Sequence, residues 1–528
     1  MNAIQITQTI SADLLIVGSG IAGLSACVEA YSKGLNPTLI TKTVIGSGAS
    51  YFPLKATLGI QITGEQDEDK FRQDIERVAQ GQNNPKIVQA YIEDSPQAIN
   101  LLSRIGFQAW RRDDNRPACF AQHSRPIYLI NNWQRAAQKA REIIAAQQTP
   151  VYENATLLYI ATVNQQVQGA VFSFRASGKI YYIFCKTSQI ILATGGIAGL
   201  YKDNLYPADV IASSHYLAQL AGAELINLEF IQFIPAFVEP KYKVLFGEHT
   251  LKYVEKITDS QGKNLFAHLN QTEFKQMMTE RSRYAPFSID FNCVEFDLVM
   301  MQHLLENPRA KGIYLHYSPK LYQDKEAFYT VYLHWLKQEV GIDLLKQPIA
   351  IAPFAHSCNG GVVIDEFAQT RVKGLFAVGE VASCIEGANR LGGNSVGGSL
   401  VFAQRAIQQI LRNLAEKPPL VTSEQSIKQA EDYFRSLQNQ NSDRIMLRPS
   451  DILTAIRSQM ANYANVYRTR ANLQALAKTL VQIEQDFCPI KQAEFHGIEI
   501  YHALKSAQLI VQAMLQRQQS LGAHYRAN

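Results

Sequence analysis

Short apolar runs, each bounded by glycine or polar residues, mark the N-terminal part of the chain. Residues 13–17 and 37–40 are two such runs, and residues 24–31 between them have the apolar spacing of a helix. Residues 189–196 and 374–382 contain further apolar runs, which lead into Thr-Gly-Gly and Gly-Glu. A continuous apolar run of this length is typical of a strand buried on both faces of a parallel sheet. The pattern therefore predicts a strand–turn–helix–strand unit near the N-terminus and two more buried strands downstream.

The middle and the C-terminal parts of the chain show other patterns. Residues 312–317 resemble a strand, whereas residues 326–341 have helical spacing. Residues 472–487 and 502–519 both repeat apolar side chains at helical spacing, and the proline-containing stretch 416–424 has the composition of a linker. We therefore expect a middle part of mixed α and β structure and a helical C-terminal part.

Three glycines follow the first apolar run with the spacing GxGxxG. Gly18 permits a tight turn, Gly20 lets the backbone approach a pyrophosphate, and Gly23 lets the following helix pack closely on the strand. The N-terminus of that helix then faces the phosphates. The spacing alone is a weak signal, but its position between a strand and a helix predicts a dinucleotide site. A glycine-rich turn without a ligand is the alternative.

Two features bear on which dinucleotide binds. The second run, after which an acid usually holds the ribose, is followed by Thr41 and Lys42, which do not separate FAD from NAD. In two-part FAD folds, a strand that ends in Ala-Thr-Gly-Gly returns the chain to the first sheet, and residues 189–196 match it. A later Gly-Glu places a polar group against the ribityl and phosphate atoms, and Gly379 and Glu380 supply that pair. The three stretches together favour FAD.

Length and composition limit the classes of protein that remain. A chain of 528 residues is expected to form two or three domains, and its net charge of +5 is too small to suggest a nucleic-acid partner. The seven cysteines include no CxxC pair and no metal-ligand spacing, so we expect no metal and no iron–sulfur cluster. No signal peptide and no apolar run of about 18 residues is present, which predicts a cytoplasmic protein without a transmembrane segment.

Four longer stretches are specific enough to indicate a family. They are GLFAVGEVASCIEGANRLGGNSVGGSLVFAQRA, KQPIAIAPFAHSCNGGVVID, LEFIQFIPA and QRQQSLGAHYR. They resemble the flavoproteins of the succinate dehydrogenase and fumarate reductase family, most of all the L-aspartate oxidases, and the similarity runs nearly end to end. The resemblance implies an α/β fold: a Rossmann-like FAD-binding domain (1–228 plus 346–412), an inserted α+β capping domain (229–345) and a C-terminal helical domain (418–528).

The resemblance also implies the residues that hold FAD. In the respiratory members a histidine in the stretch that matches 46–61 binds FAD covalently, whereas this chain has no histidine there. We therefore expect non-covalent FAD, with Ser47 to Ser50 along the flavin. The residues expected to bind it are Gly18, Gly20, Ile21, Ala22, Gly23, Thr41, Lys42, Ser47, Gly48, Ala49, Ser50, Gly59, Ala193, Thr194, Gly195, Gly379, Glu380, Asn394, Ser395 and Val396.

Members of this family move a hydride between a substrate C–H bond and flavin N5, while a proton leaves or joins the neighbouring atom. Their substrates are dicarboxylates or amino dicarboxylates that are held from two sides. One side is retained here, because His356 matches the histidine of the motif HYTMGG and Arg390 matches the arginine of ANRLxxN. Arginine suits this role because its planar fork meets a carboxylate bidentately. Each could instead be structural, the histidine as a brace for the Gly-Gly turn and the arginine in an ion pair of a helix.

The other side has lost polar groups that the family uses. In the stretch that matches the motif QFHPT, Gln232 is kept, but Ile234 replaces the histidine and Ala236 replaces the threonine. A carboxylate against Ile234 would lose its hydration without compensation. Further replacements are Gly247 for a threonine beside the retained Glu248, Phe287 and Ser288 for an Arg-Asp pair, Asn292 for the proton-carrying arginine, and Phe120 for the glutamate that senses the amino group in aspartate oxidases.

These replacements predict a ligand with one carboxylate and an apolar remainder. The expected substrate-binding residues are Gln232, Ile234, His356 and Arg390. We expect an FAD-dependent oxidoreductase that oxidises an amino acid or another monocarboxylate, or reduces a matching enoate. Two alternatives stay open: an L-aspartate oxidase that forms iminoaspartate for NAD synthesis, and a non-catalytic FAD-binding subunit. The electron acceptor, whether oxygen, a quinone, fumarate or a protein, is not determined by the sequence.

The group that replaces the missing arginine in proton transfer is also left open. Arg281 and Arg283 are expected at the surface, and Cys358 is expected to serve packing and not catalysis. One of the candidates, Glu386, could equally be a helix-start carboxylate near Arg390. The candidate proton carriers are His356, His123, Glu248 and Glu386.

Overall fold

The computed structural model describes residues 4–51, 57–325, 327–416, 422–438, 448–489 and 495–527. Its strands are β1 (Gln8–Ser11), β2 (Leu14–Val17), β3 (Pro37–Thr41), β4 (Leu58–Gln61), β5 (Trp110–Arg111), β6 (Ile127–Ile130), β7 (Val151–Glu153), β8 (Ala155–Val163), β9 (Gln166–Ala176), β10 (Lys179–Lys186), β11 (Ile190–Leu192), β12 (Leu225–Ile226), β13 (Ile231–Glu239), β14 (Val244–Leu245), β15 (Val254–Thr258), β16 (Ile313–Tyr317), β17 (Ile349–Cys358), β18 (Gly361–Val363), β19 (Leu375–Ala377), β20 (Ala382–Ser383), β21 (Arg468–Thr469) and β22 (Arg526–Ala527). Its helices are α1 (Ile21–Ser32), α2 (Glu68–Ala79), α3 (Pro85–Ala98), α4 (Leu101–Arg104), α5 (Trp133–Ala146), α6 (Ser213–Leu220), α7 (Gln271–Arg281), α8 (Glu295–Glu306), α9 (Ala327–Trp335), α10 (Asn394–Ala415), α11 (Ser423–Gln438), α12 (Pro449–Tyr463), α13 (Arg470–Gln485) and α14 (Phe495–Gln516).

A five-stranded parallel sheet, ordered β19-β11-β2-β3-β7, forms the centre of the nucleotide-binding part. α1 joins β2 to β3, which is the predicted strand–turn–helix–strand unit. Every residue of β2, β3 and β11 is buried, as expected for a parallel sheet that is covered on both faces. The carboxyl ends of these strands meet at one edge of the sheet, and the glycine turn lies there.

A second five-stranded sheet, ordered β14-β13-β17-β16-β15, contains the stretches that match the substrate motifs. Its neighbouring strands are antiparallel. In the pairing of β13 with β17, Gln232 lies opposite Ser357 and Phe233 lies opposite Ala355. The register thus shifts at His356, which is the extra residue of a bulge in β17, and a bulge of this kind redirects a side chain away from the regular alternation.

The described C-terminal residues are mainly helical, from α11 to α14. α14 is fixed to the residue before α6, because Ser506 Oγ donates a hydrogen bond to Ala212 O at 2.8 Å and accepts one from Tyr216 N at 3.1 Å. The residues after α14 return to the segment that precedes α10, where Ala523 N donates to Ala388 O at 2.9 Å. The end of the chain therefore contacts both sides of the region in which the candidate site lies.

The predicted elements are confirmed with shifted ends. The runs 13–17 and 37–40 correspond to β2 and β3, and the helical stretches 472–487 and 502–519 correspond to α13 and α14. α1 begins at Ile21, earlier than predicted, because the turn after β2 is short and its last glycine already belongs to the helix. Most of the predicted linker lies outside the described residues.

The fold is mixed α/β, as predicted, but its division into three domains stays a prediction. The expected boundary at 346 assigns β17 to the FAD-binding domain. In the structure β17 pairs with β13, which belongs to the expected capping domain. The two substrate-motif strands are therefore neighbours in one sheet, whichever domain they are assigned to.

Candidate active site

A cavity lies at the carboxyl edge of the central sheet, where β2, β3, β11 and β19 end. This edge is where open α/β sheets bind their ligands. Residues from the turn after β2, from the loop 47–50 and from the start of α10 form its wall. The charged residues that line it are Lys42, Asp209, Glu380 and Glu499.

The glycines of the turn are required by close contacts of the backbone. Gly18 has φ +106°, and a Cβ atom there would lie 2.3 Å from the carbonyl oxygen of Ala193. A Cβ atom on Gly23 would lie 1.9 Å from the carbonyl oxygen of Gly18, so α1 packs on β2 as closely as predicted. On the cavity side, a Cβ atom on Gly48 would lie 2.7 Å from Gly20 Cα. This narrow, side-chain-free cradle fits a pyrophosphate.

Two helix N-termini contribute residues to the same cavity. α1 begins after Gly20, α10 begins after Gly393, and neither helix has a side-chain cap. Their first backbone N–H groups lack helical partners and form the positive end of the helix dipole. In the same wall, the buried Oγ1 of Thr194 has no hydrogen-bond partner among the described residues. These groups fit the phosphates and polar atoms of a dinucleotide.

Glu380 is held in a defined position at this cavity. Its Oε1 accepts a hydrogen bond from the Tyr206 hydroxyl and another from Cys358 N, the latter at 2.9 Å. A Cβ atom on Gly196 would lie 2.3 Å from Glu380 Oε1, which explains the second glycine of the Thr-Gly-Gly stretch. The predicted Gly-Glu pair therefore connects the cavity to the end of β17.

Most of the residues expected to bind FAD line this cavity. Three do not: Gly23 packs α1 on β2, Gly59 lies in β4, and Asn394 accepts a hydrogen bond from Gln61 Nε2 at 3.3 Å. Residues 52–56, part of the stretch that matches the covalent-histidine region of the respiratory flavoproteins, lie outside the described residues. The expected residues that line the cavity are Gly18, Gly20, Ile21, Ala22, Thr41, Lys42, Ser47, Gly48, Ala49, Ser50, Ala193, Thr194, Gly195, Gly379, Glu380, Ser395 and Val396.

The sequence interpretation missed residues that reach the cavity from distant parts of the chain. These are Ala155, Thr156 and Leu157 of β8, the segment 209–214 and Glu499 of α14. No local motif marks them, because each is brought to the cavity by the packing of its own element. Of these, Glu499 adds a buried charge.

Arg390 lies in the irregular segment before α10, so the alternative in which it forms an ion pair within a helix does not hold. Its Nε donates to Gln232 Oε1 at 3.2 Å, and the amide nitrogen of Gln232 donates to Asn389 Oδ1. Gln232 is buried in β13 and fixed by these bonds. Across the described residues, Arg390 Nη1 and Nη2 make no hydrogen bond or ion pair, so the end of the fork is available to an anion.

The position that matches the family's second histidine lies in an apolar cluster. Ile234 and Ala236 of β13 are buried together with Leu205, Ala352 and Phe354. Isoleucine and alanine side chains offer no hydrogen bond, so a carboxylate placed here would be desolvated without a partner.

Arg281 is a cation that donates to Ala285 O at the edge of this cluster, and the expectation that it is a surface residue is wrong. It is fully buried, and its Nε and Nη2 bind Asp297 at 2.7 and 3.0 Å. Its Nη1 and Nη2 also donate to the carbonyls of Tyr284 and Ala285. The charge of Arg281 is thus neutralised by an internal carboxylate, while Arg283 is exposed as expected.

Aromatic rings occupy the region of the lost proton carrier. Phe120 stacks on Phe291 with ring centroids 5.4 Å apart, and Tyr284 stacks on Phe291 at 3.8 Å. Phe287 is buried and its backbone N–H donates to Phe233 O. Asn292, which matches the proton-carrying arginine, is exposed. This side of the region is therefore apolar and aromatic.

The candidate proton carriers differ in their surroundings. Glu248 is buried, burial raises its pKa well above the ordinary 4.5 against the opposing charge of Arg281, and its Oε1 has no hydrogen-bond partner among the described residues. Burial also raises the pKa of Glu386 against the opposing charge of Arg390. Glu386 lies in the irregular segment eight residues before α10, so the alternative of a helix-start carboxylate does not hold. The backbone N–H of His123 donates to Asp74 Oδ2 at 3.1 Å, and its ring Nδ1 lies 3.3 Å from Asp74 Oδ1.

Cys358, at the end of β17, is buried, and burial raises the pKa of its thiol to about 12. A thiol with such a pKa is protonated at neutral pH and is a poor nucleophile. The structure thus fits the prediction that Cys358 serves packing.

The glycine cradle, the two uncapped helices and the fixed Gly-Glu pair define a dinucleotide-binding flavoprotein. Comparison with known families agrees: the family model described as "FAD binding domain" matches residues 13–396. The chain therefore belongs to this FAD-binding family, and it is an FAD-dependent oxidoreductase of the fumarate reductase and L-aspartate oxidase type.

Individual relatives are similar over their full length but distant in sequence. An uncharacterised FAD-dependent oxidoreductase of Methanocaldococcus jannaschii is 26% identical over 97% of this chain and 93% of its own. L-aspartate oxidase 1 of Ralstonia nicotianae is 25% identical over 97% of this chain and 94% of its own. The structure of a quinol fumarate reductase of E. coli matches with a TM-score of 0.77 at 22% identity, over 99% of this chain and 92% of that one. This last likeness shows the fold alone.

No helix among the described residues is both long enough and apolar enough to span a membrane. The predictions of a cytoplasmic location and of no nucleic-acid partner stay predictions.

Proposed function

We propose that this protein transfers a hydride between non-covalently bound FAD and a substrate that has one carboxylate and an apolar remainder, such as an amino acid or another monocarboxylate. The observation on which this rests is the asymmetry of the substrate region. On one side, Arg390 is braced by Gln232, and among the described residues its Nη1 and Nη2 make no hydrogen bond or ion pair. On the other side, Ile234 lies in an apolar cluster whose adjacent cation, Arg281, is neutralised by Asp297.

FAD, when bound, supplies two-electron hydride chemistry at its isoalloxazine ring. In this proposal Arg390 binds the substrate carboxylate, and His356, at the bulge of β17 beside the strand that carries Gln232, binds it as well. Two contacts to one carboxylate orient the substrate, which places its C–H bond for transfer. The apolar cluster around Ile234 and the stacked rings of Phe120 and Phe291 receive the remainder of the substrate and exclude water.

Glu248 and Glu386 are the proposed proton carriers. Both have a raised pKa, which brings a carboxyl group closer to the working pH of an acid–base catalyst. Their neutral form also suits a site that must not repel a carboxylate. An amino-acid substrate that is deprotonated at nitrogen needs no strong base at carbon, so the loss of arginine at Asn292 is compatible with oxidation.

The test is an anaerobic screen of the FAD-loaded protein. Amino acids and 2-hydroxy acids with apolar and with acidic side chains are added in turn, and loss of the oxidised-flavin absorbance is recorded; enoates are tested with the reduced protein. We expect apolar monocarboxylates to react and L-aspartate to react poorly. In Arg390→Ala the reaction is lost, whereas Arg371→Ala, which breaks an exposed pair with Glu224, behaves as wild type.

Four outcomes contradict the proposal. Rapid bleaching by L-aspartate identifies an L-aspartate oxidase, a possibility supported by the full-length similarity to such enzymes. Equal activity of Arg390→Ala removes the carboxylate clamp. No reaction in the whole screen favours a non-catalytic FAD-binding subunit. Flavin that stays with the chain after acid precipitation would show a covalent bond.

A further inference from the structure

The FAD cavity contains a carboxylate from the last helix of the chain. Glu499 of α14 lines the cavity and is buried. Its Oε1 is 2.5 Å from Nζ of Lys42, and Lys42 is the residue that follows β3. An ion pair thus joins the end of a central strand to a helix that lies more than four hundred residues further along the chain.

Glu499 reaches the position at which a dinucleotide fold needs an acid. In such folds an acidic residue near the end of the second strand of the unit binds the ribose hydroxyls of the adenosine. Here β3 ends at Thr41, whose hydroxyl is 2.7 Å from Ser19 Oγ, and Lys42 follows. The sequence has no acid at the strand end itself, but the ion pair with Lys42 positions Glu499 there.

The carboxylate of Glu499 has the charge and the hydrogen-bond acceptor positions for this role. Burial would raise its pKa, but the Lys42 ammonium and the ring of His496 outweigh burial and hold the pKa below the ordinary 4.5. His496 Nδ1 is 3.9 Å from Oε2, longer than a hydrogen bond. An ionised carboxylate accepts about four hydrogen bonds, so acceptor positions remain for hydroxyl donors.

The other acids of the cavity are engaged differently. Glu380 accepts hydrogen bonds from Tyr206 and Cys358. These bonds fix its carboxylate close to the carboxyl end of β19. Asp209 accepts from Thr43 and is only partly buried. Glu499 thus combines full burial, ionisation and a place at the end of β3.

We propose that Glu499 binds the ribose hydroxyls of the adenosine part of FAD, with Lys42 as its positioning residue. α14 is held firmly enough for this role, because Ser506 binds Ala212, and Ala212 itself lines the cavity. FAD then bridges the N-terminal glycine turn and the C-terminal helix. Since a ligand that binds only the folded state stabilises it, FAD also stabilises the docking of α14.

The experiment measures the affinity of the apoprotein for FAD by flavin fluorescence. Wild type and Glu499→Gln are titrated with FAD and with FAD analogues whose adenosine lacks the 2′ or the 3′ hydroxyl. A hydrogen bond to a charged group corresponds to about tenfold in affinity or more. We expect Glu499→Gln to bind FAD about tenfold more weakly, and at least one deoxy analogue to bind wild type about tenfold more weakly but to bind the variant as well as FAD does.

FMN, which lacks the adenosine, and Glu484→Gln serve as controls. Glu484 pairs with Lys505 Nζ at 3.1 Å outside the cavity, so its variant loses a comparable ion pair in the same helical part. FMN affinity should be equal in wild type and Glu499→Gln, and Glu484→Gln should bind FAD as wild type does.

Two results would overturn the proposal. One is unchanged FAD affinity in Glu499→Gln. The other is a deoxy analogue that loses the same factor in wild type and variant, since Glu499 then acts through Lys42 or through folding and not on the ribose. Thermal unfolding of the apoproteins identifies a general folding defect, which would lower FMN and FAD affinity together.

Discussion

Replacing Gln232 with leucine tests whether the brace on Arg390 orders the carboxylate clamp. Leucine has a similar volume but removes the Oε1 that accepts from Arg390 Nε at 3.2 Å, and the amide N–H groups that donate to Asn389. Asn389 Oδ1 keeps its bond from Arg390 N at 2.9 Å, so the backbone of the segment stays tied. The perturbation therefore falls on the guanidinium.

The size of the effect follows from the conformational freedom of Arg390 that the bond to Gln232 has already removed before a ligand binds. A free arginine side chain loses about 0.5–1.5 kcal/mol of conformational freedom when a ligand immobilises it. Because Gln232 orders the guanidinium of Arg390 in the free protein, the Gln232→Leu variant must lose this freedom when the ligand binds. The Kd for the carboxylate should therefore rise about two- to tenfold. Arg390→Ala removes two charge-assisted bonds and should weaken binding about 100-fold or more.

The assay is a titration of the FAD-loaded protein with unreactive monocarboxylates, propionate and benzoate, followed by the shift of the flavin absorbance. The matched control is Gln189→Leu. Gln189 is also a buried glutamine, bound to Asn413 Nδ2 at 3.1 Å before β11, at the opposite end of that strand from the cavity. Its variant should lose stability but bind carboxylates as wild type does.

Unchanged carboxylate affinity in Gln232→Leu, with a large loss in Arg390→Ala, would show that the brace is structural only. Unchanged affinity in both variants would refute the clamp itself. A loss in the Gln189→Leu control would mean that the titration reports folding and not the site.

Further predictions concern a buried acid, the cradle and a thiol. Because the pKa of Glu248 is raised in the fold, the free energy of unfolding should fall by up to about 1.4 kcal/mol per pH unit as pH rises above 4.5 toward the raised pKa. Glu248→Gln should lack this slope in urea unfolding from pH 5 to 8, and parallel curves would contradict it. Gly48→Ala puts a Cβ atom 2.7 Å from Gly20 Cα and should lower the FAD content after gel filtration; full FAD content would refute the cradle. Cys358, which is buried and has a pKa of about 12, should react with a thiol reagent at pH 8 only after unfolding; fast labelling of Cys358 in the native protein would contradict this.

The cofactor site was largely predictable because its chemistry is local in sequence. Gly23 is required by a steric contact within one strand–turn–helix unit, because a Cβ atom there would meet Gly18 O, and a Gly-Glu pair lies at the end of another strand. The errors concern long-range packing. Arg281 was expected at the surface, since nothing near it in sequence shows that Asp297 of the next helix encloses it. Glu386 and Arg390 were given helical alternatives, but α10 begins only after them.

The sequence by itself determined the FAD-binding unit, the buried strands around it, and the loss of polar groups at Ile234 and Asn292. These follow from residue identity and from periodicity over a few residues. Only the tertiary structure decided which groups meet: Glu499 with Lys42, and Gln232 with Arg390. Such pairs join distant segments, and their energies depend on burial and on distances of a few ångströms. Neither quantity exists before the chain is packed.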